Sequence, residues 1–161
     1  MSILVVAAHP DDEALGCGGT IALHSEQGDE VNILFLADGI TSRNEEMVSS
    51  KIEQRKQAAI DACNILGTGS PKFLGFSDNK LDSVPLLDII QHLELIIREF
   101  RPTIIYTHHQ GDLNIDHRIT HQAVMTACRP VPDFFVREIY SFEVLSSTEW
   151  ALPSQNNLFV P

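Results

Sequence analysis

A three-layer α/β/α sandwich around a mostly parallel sheet is the fold class this sequence predicts. Three observations predict it. Short strand-like runs alternate with helix-length stretches, the central runs are apolar throughout, and polar residues able to do chemistry gather directly after the runs.

The elements follow in order. SILVVAA (2–8), VNILFLA (31–37), KFLGF (72–76), TIIYTH (103–108) and VREIYSF (136–142) read as strands. The first, second and fourth are almost wholly apolar, as strands buried on both faces should be. Residues 13–27, about 47–66, about 84–100 and about 117–128 carry apolar positions at helical spacing, for example Ile52, Ala59, Ile60, Cys63 and Leu66 in the second. Gly67 closes that helix and Pro102 follows the third. The βαβαβαβαβ order implies a parallel sheet with right-handed crossovers.

Composition narrows the function classes. The 161 residues suit one domain, and no apolar run approaches the ~20 residues of a membrane span. A formal net charge of −11 argues against a nucleic-acid or anionic-lipid partner and favours an uncharged or cationic small molecule, or a bound cation. Cys17, Cys63 and Cys128 are scattered and odd in number, which makes neither a disulfide framework nor a metal clasp; they read as buried small residues. The N-terminus begins at once on a strand without a basic leader, so a cytoplasmic location is expected.

In open α/β sheets ligands bind beyond the carboxyl ends of the strands. Here HPDDE follows the first run, Asp38 and Gly39 the second, SDN the third and HHQGDLNIDH the fourth. Capping and the helix dipole would be satisfied by one acid in HPDDE. Three in succession repel one another unless a cation or a shared proton intervenes. His9 and Asp12 can turn toward one divalent ion, and a catalytic zinc takes three protein ligands, so another should come from the cluster of His108, His109, His117 and His121. The glycines of GCGGT lie inside the predicted helix rather than in the turn, which is wrong for a dinucleotide site. Gly16, Gly18 and Gly19 are expected to let the helix approach the sheet closely.

AAHPDDEALGCGGT resembles the signature of the LmbE/PIG-L family of zinc-dependent N-acetylglucosaminyl deacetylases, and GDLNIDHRITHQAV resembles its second motif. The similarity extends to IEQRKQAAIDACNILG and SFEVLSSTEW. The resemblance implies a Rossmann-like sandwich and hydrolysis of an N-acetyl group on an N-acetylglucosamine-type sugar or conjugate. It implies Zn2+ held by His9, Asp12 and His117, with Asp11 as general base and Arg55 as a substrate contact. Asp38 and His109 complete the expected substrate-binding set, and Asp116 is expected to orient an active-site imidazole. Many family members have His-Pro-Asp-His where this chain has Asn114-Ile115-Asp116-His117, and an acid where it has Ala58. Asn114 can donate to an oxyanion but cannot deliver a proton, so the leaving amine would be protonated by Asp11 or a neighbour such as His109. Glu13 is expected only to start the helix.

Two alternatives are weighed beside this reading. A non-catalytic zinc- or sugar-binding module would have no need of Asp11. An iron(II) oxygenase shares the two-histidine, one-carboxylate set but is ordinarily all-β. Family members also continue beyond the SSTEW segment, so residues 1–161 are expected to form a single domain lacking its C-terminal part, with a partner subunit of a homo-oligomer as one way to complete the pocket.

Overall fold

The computed structural model describes residues 1–42, 48–131 and 135–150. The five strands are β1 (Ser2–Ala7), β2 (Glu30–Ala37), β3 (Lys72–Phe76), β4 (Ile104–His108) and β5 (Glu138–Phe142). The helices are α1 (Asp12–Glu26), α2 (Val48–Leu66), α3 (Leu86–Phe100) and α4 (Ile115–Ala127). Each strand and helix agrees with its sequence-based span to within a few residues. The expected first residue of α2, Met47, and the closing NNLFVP lie outside the described residues.

The strands form one parallel sheet in the order β3-β2-β1-β4-β5. β1 sits at its centre, and all of Ile3 to Ala7 are fully buried because alternate residues serve two cores. Leu4 and Val6 join Leu34, Leu36 and Ile105 against Ile89, Leu93 and Ile97 of α3 and Ala123 and Val124 of α4. Ile3, Val5 and Ala7 join Ile33, Phe35 and Ile104 against Cys17 and Ile21 of α1 and Ala59 and Cys63 of α2. This is the expected three-layer sandwich. All three cysteines are free and buried. No described helix is long and apolar enough to cross a membrane.

The strand order places a topological switch at β1. The chain winds outward from β1 through β2 to β3, then crosses back to lay β4 on the other side of β1. Loops leaving the carboxyl ends of β1 and β4 therefore diverge to opposite sides and leave a crevice between them.

The three α1 glycines do not share one role. A Cβ on Gly16 would stand 2.3 Å from Phe142 Cδ2 and 3.0 Å from the Glu143 carbonyl oxygen, so the close approach of α1 to the end of β5 requires glycine there. Gly18 would make only an ordinary 3.9 Å contact with Leu66, and Gly19 meets nothing within 4 Å. The expected packing role holds for Gly16 and is corrected for the other two, because Gly18, though buried, has room for a Cβ and the helix faces solvent at Gly19. Gly16→Ala should accordingly cost about 1–3 kcal/mol through overpacking. Gly19→Ala should be neutral or stabilising by up to ~1 kcal/mol through helix propensity. Urea midpoints measure both, and equal shifts in the two variants would contradict this assignment.

Candidate metal and active site

The crevice is a cleft of about 360 Å3, lined among others by His9, Asp11, Asp12, Leu15, Arg55, Asp78, Asn114, His117 and Ser147. At its floor is one carboxylate oxygen. Asp12 Oδ2 accepts the His9 backbone N–H at 2.8 Å, which folds the HPDD turn back on itself. The same oxygen lies 3.3 Å from His9 Nδ1 and 3.3 Å from His117 Nε2. These side chains are almost fully buried, and their donor atoms all fall within 4.8 Å of one another.

The outward nitrogens of both rings are held by further carboxylates. His9 Nε2 lies 2.9 Å from Asp116 Oδ2 and 3.1 Å from Asp78 Oδ1. Asp116, fully buried, is itself fixed by the backbone N–H groups of Asn79 at 2.7 Å and Leu81 at 3.0 Å. His117 Nδ1 lies 3.1 Å from Asp112 Oδ2, which also accepts from the hydroxyls of Ser147 at 3.0 Å and Thr148 at 2.6 Å. Metal-binding histidines characteristically donate their second ring N–H to a carboxylate, which fixes the tautomer and turns the ligand nitrogen inward.

His108 takes a different part. Its Nε2 accepts the Ala8 backbone N–H at 2.8 Å, so the 3.4 Å approach to Asp12 Oδ2 is a contact and not a hydrogen bond. Burial pushes its pKa down to about 4, leaving a neutral ring. It stacks on His117 with ring centroids 3.9 Å apart.

The remaining charges follow from burial and pairing. Burial opposes ionised groups at His9 and His117, but their carboxylate partners outweigh it and raise the two pKa values to about 11 and about 9. Burial likewise works against the Asp12 anion, and the surrounding imidazoles outweigh it and hold its pKa well below the usual carboxylate range. Asp78 and Asp112 are both brought down to about 2, because their bonds to histidine and to hydroxyls overcome burial.

The other expected site residues separate into two groups. Asp11 stands at the rim with its side chain half exposed, its Oδ2 2.8 Å from Arg55 Nη1, and the same nitrogen donates to the Pro10 carbonyl at 2.8 Å. Asn114 caps α4 with its Oδ1 on the Asp116 N–H at 2.8 Å, so its Nδ2 is the end left to face the cleft. Gly39, at φ +69, brings the end of β2 against His9 and Arg55, where a Cβ would meet His9 Cβ at 3.3 Å.

Asp38 and His109 are not among the described residues that line the cleft. Asp38 closes its own turn, its Oδ1 accepting the N–H groups of Ile40 and Thr41 at 2.8 and 2.9 Å. His109 is buried, with Nδ1 accepting the Gly111 N–H at 3.1 Å. Glu13, expected only to start the helix, does sit in its first turn but is 1% exposed, with Oε2 accepting the Asp11 backbone N–H at 3.0 Å. Asp78, Asp112 and Ser147 have no role in the sequence-based reading. The rule that functional groups follow the strands is the signal that could mark Asp78, in the SDN turn after β3.

The chain matches the family model PIG-L: GlcNAc-PI de-N-acetylase over residues 4–128. It is 33% identical over 135 residues to the uncharacterized deacetylase YaiS of Escherichia coli K12, covering 81% of this chain and 69% of that protein. It is 34% identical over 136 residues to the probable N-acetyl-alpha-D-glucosaminyl L-malate deacetylase 2 of Bacillus cereus, covering 81% and 62%. The crystal structure of the conserved protein TT1542 from Thermus thermophilus superposes with a TM-score of 0.74 at 30% identity, covering 88% of this chain and 66% of that one. The chain thus spans between 62% and 69% of the length of these relatives.

The raised histidine pKa values give a pH dependence with a definite sign. A group whose pKa is higher folded than unfolded stabilises the fold below its unfolded value, 6.5, and the contribution is lost as pH rises through the folded value. Metal-free protein should therefore lose stability from pH 6.5 upward, with the His117 contribution gone by about 9 and the His9 contribution by about 11. A cation binding between the rings must displace the same protons. Zinc titration calorimetry at pH 7, in two buffers of different ionisation heat, should show release of about two protons. No net release would contradict the charged pair.

Proposed function

Because the chain belongs to the PIG-L (GlcNAc-PI de-N-acetylase) family, we propose that it is a metal-dependent amidohydrolase removing the N-acetyl group from an N-acetylglucosamine-type sugar or sugar conjugate. The observation that carries the reading is the division within HPDD. Asp12 Oδ2 converges with His9 Nδ1 and His117 Nε2, while the neighbouring Asp11 carboxylate stays out of that group and lines the cleft. A binding module would have use for the first three groups but none for the fourth.

Two histidine nitrogens and one carboxylate oxygen are the donor set of a catalytic zinc with an open position, and the carboxylates behind both rings fit the same group. His9, Asp12 and His117 would hold the zinc. When bound, it lowers the pKa of water toward ~7 and polarises a carbonyl.

The protein's own groups supply the rest. Asp11 accepts the proton of the attacking water, and Arg55 Nη1 fixes the direction of its carboxylate. As the acetyl carbonyl becomes tetrahedral, Asn114 Nδ2 donates to the developing oxyanion, a contribution of about 3–4 kcal/mol by analogy with other single donors. Asp11 then returns the proton to the departing amine, and acetate leaves. Asp116 and Asp112 keep the two imidazoles from turning. In this reading Arg55, which lines the cleft beside Asp11, meets a sugar hydroxyl. The relatives' names support the sugar class of the substrate. The free, buried cysteines support a cytoplasmic setting.

The experiment is acetate release from N-acetylglucosamine derivatives by metal-loaded protein, with metal content measured in parallel. Asp11→Asn should retain the metal and lose about 10²–10⁴-fold in kcat. His9→Ala and His117→Ala should lose most of the metal. Full activity in Asp11→Asn, or no acetate from any N-acetyl sugar with the parent protein, would return the chain to a binding role.

A further inference from the structure

The N-terminus of α1 is capped in an irregular way. An aspartate at this position ordinarily turns its carboxylate back onto an amide two or three residues ahead. Asp11 makes no such bond. Its carboxylate points instead to Arg55 and the cleft, and its backbone, at φ 150 and ψ −25, adopts a conformation rare for any residue but glycine. Something must hold it there.

Glu13 does the capping from the other side. Its Oε2 accepts the Asp11 backbone N–H at 3.0 Å, a reach-back bond like the glutamate half of a capping box, made here without the reciprocal half. Glu13 is 1% exposed, and among the described residues it forms no ion pair with a cation, so its burial is not explained by charge pairing. The Asp11 carbonyl is engaged as well, accepting from Ala14 N at 3.1 Å and Leu15 N at 3.0 Å. Both backbone groups of Asp11 are thereby fixed while its carboxylate is free of the cap.

We propose that Glu13 is a positioning residue whose buried carboxylate, by binding the Asp11 amide, keeps Asp11 in the one backbone setting that turns its carboxylate out of the helix cap and into the cleft. The inference rests on the reading of Asp11 as proton acceptor, and it gives the third acid of HPDDE a function. It predicts that what matters at position 13 is an acceptor oxygen at that reach, and not a negative charge.

Two substitutions separate those possibilities. Glu13→Gln keeps an acceptor oxygen, and Glu13→Met keeps length and burial without one. In ¹⁵N-labelled protein, exchange protection of the Asp11 amide should survive in Glu13→Gln and fall at least tenfold in Glu13→Met. For acetate release, Glu13→Met should lower kcat by about 10- to 100-fold with KM and metal content unchanged, the scale expected for a misplaced catalytic group, while Glu13→Gln stays within a few-fold of the parent. In an Asp11→Asn background Glu13→Met should add no further loss, because its effect passes through Asp11. Should Glu13→Met fail to fold, Glu13→Ala gives the same comparison. An Asp11 amide equally protected without the acceptor, or losses that multiply in the double variant, would overturn the proposal. If the parent released no acetate, the functional reading would fail, and the amide measurement would still decide what Glu13 does.

Discussion

A carboxylate that is 4% exposed has to be compensated where it lies, and Asp12 is compensated by imidazole nitrogens of His9 and His117, each 3.3 Å from a single oxygen. Most other features of the functional end of the sheet follow from that requirement. The rings must present their nitrogens inward, so their far sides need acceptors, and Asp116, Asp78 and Asp112 provide them. Those acids need donors in turn, which come from the Asn79 and Leu81 amides and from the Ser42, Ser147 and Thr148 hydroxyls. The connections after all five strands are thus tied together by one network, with alternating charge extending outward from Asp12.

The sheet makes this network possible. Because β1 and β4 are neighbours at the switch point, His9 on the loop after β1 and His117 in the first turn of α4 approach from connections that diverge, and the space between them stays open. Tight packing under the site keeps it rigid: His108 stacks on His117, Phe142 packs on His108, and Gly16 allows α1 to close over Phe142. The reacting side has fewer constraints. Asp11 and Asn114 stand at the rim, each fixed by local bonds that leave one polar end turned to the cleft. A buried, cross-braced floor beneath a half-exposed acid is what the proposed division between cation-holding and proton-moving groups requires.

The architecture is legible in the sequence because β1, β2 and β4 are buried on both faces and therefore read as continuous apolar runs. His9 and Asp12 stand out for a related reason: a histidine and consecutive acids directly after such a run have little purely structural explanation, whereas His117 is one of four candidate histidines until the family resemblance singles it out. Asp78 and Asp112 do not stand out, since a single acid in a polar loop looks like any solvated acid until the tertiary structure buries it. Glu13 is misread through the opposite error. An acid in a first helical turn already has an adequate explanation in the helix dipole, and nothing in the local sequence reveals that it is 1% exposed. Asp38 and His109 look eligible by position after β2 and β4, but each spends its acceptor on its own loop. The difference among the three helix-1 glycines is invisible too, because it depends on how close Phe142 comes to Gly16.

The proposed cation site is the convergence of His9 Nδ1, Asp12 Oδ2 and His117 Nε2. Anomalous diffraction at the zinc absorption edge, from crystals grown with one equivalent of zinc, locates the ion directly. A single strong peak is expected about 2.0–2.2 Å from those three atoms. A peak on the far side of His9, between Asp78 and Asp116, or no ordered zinc at all, would contradict that assignment.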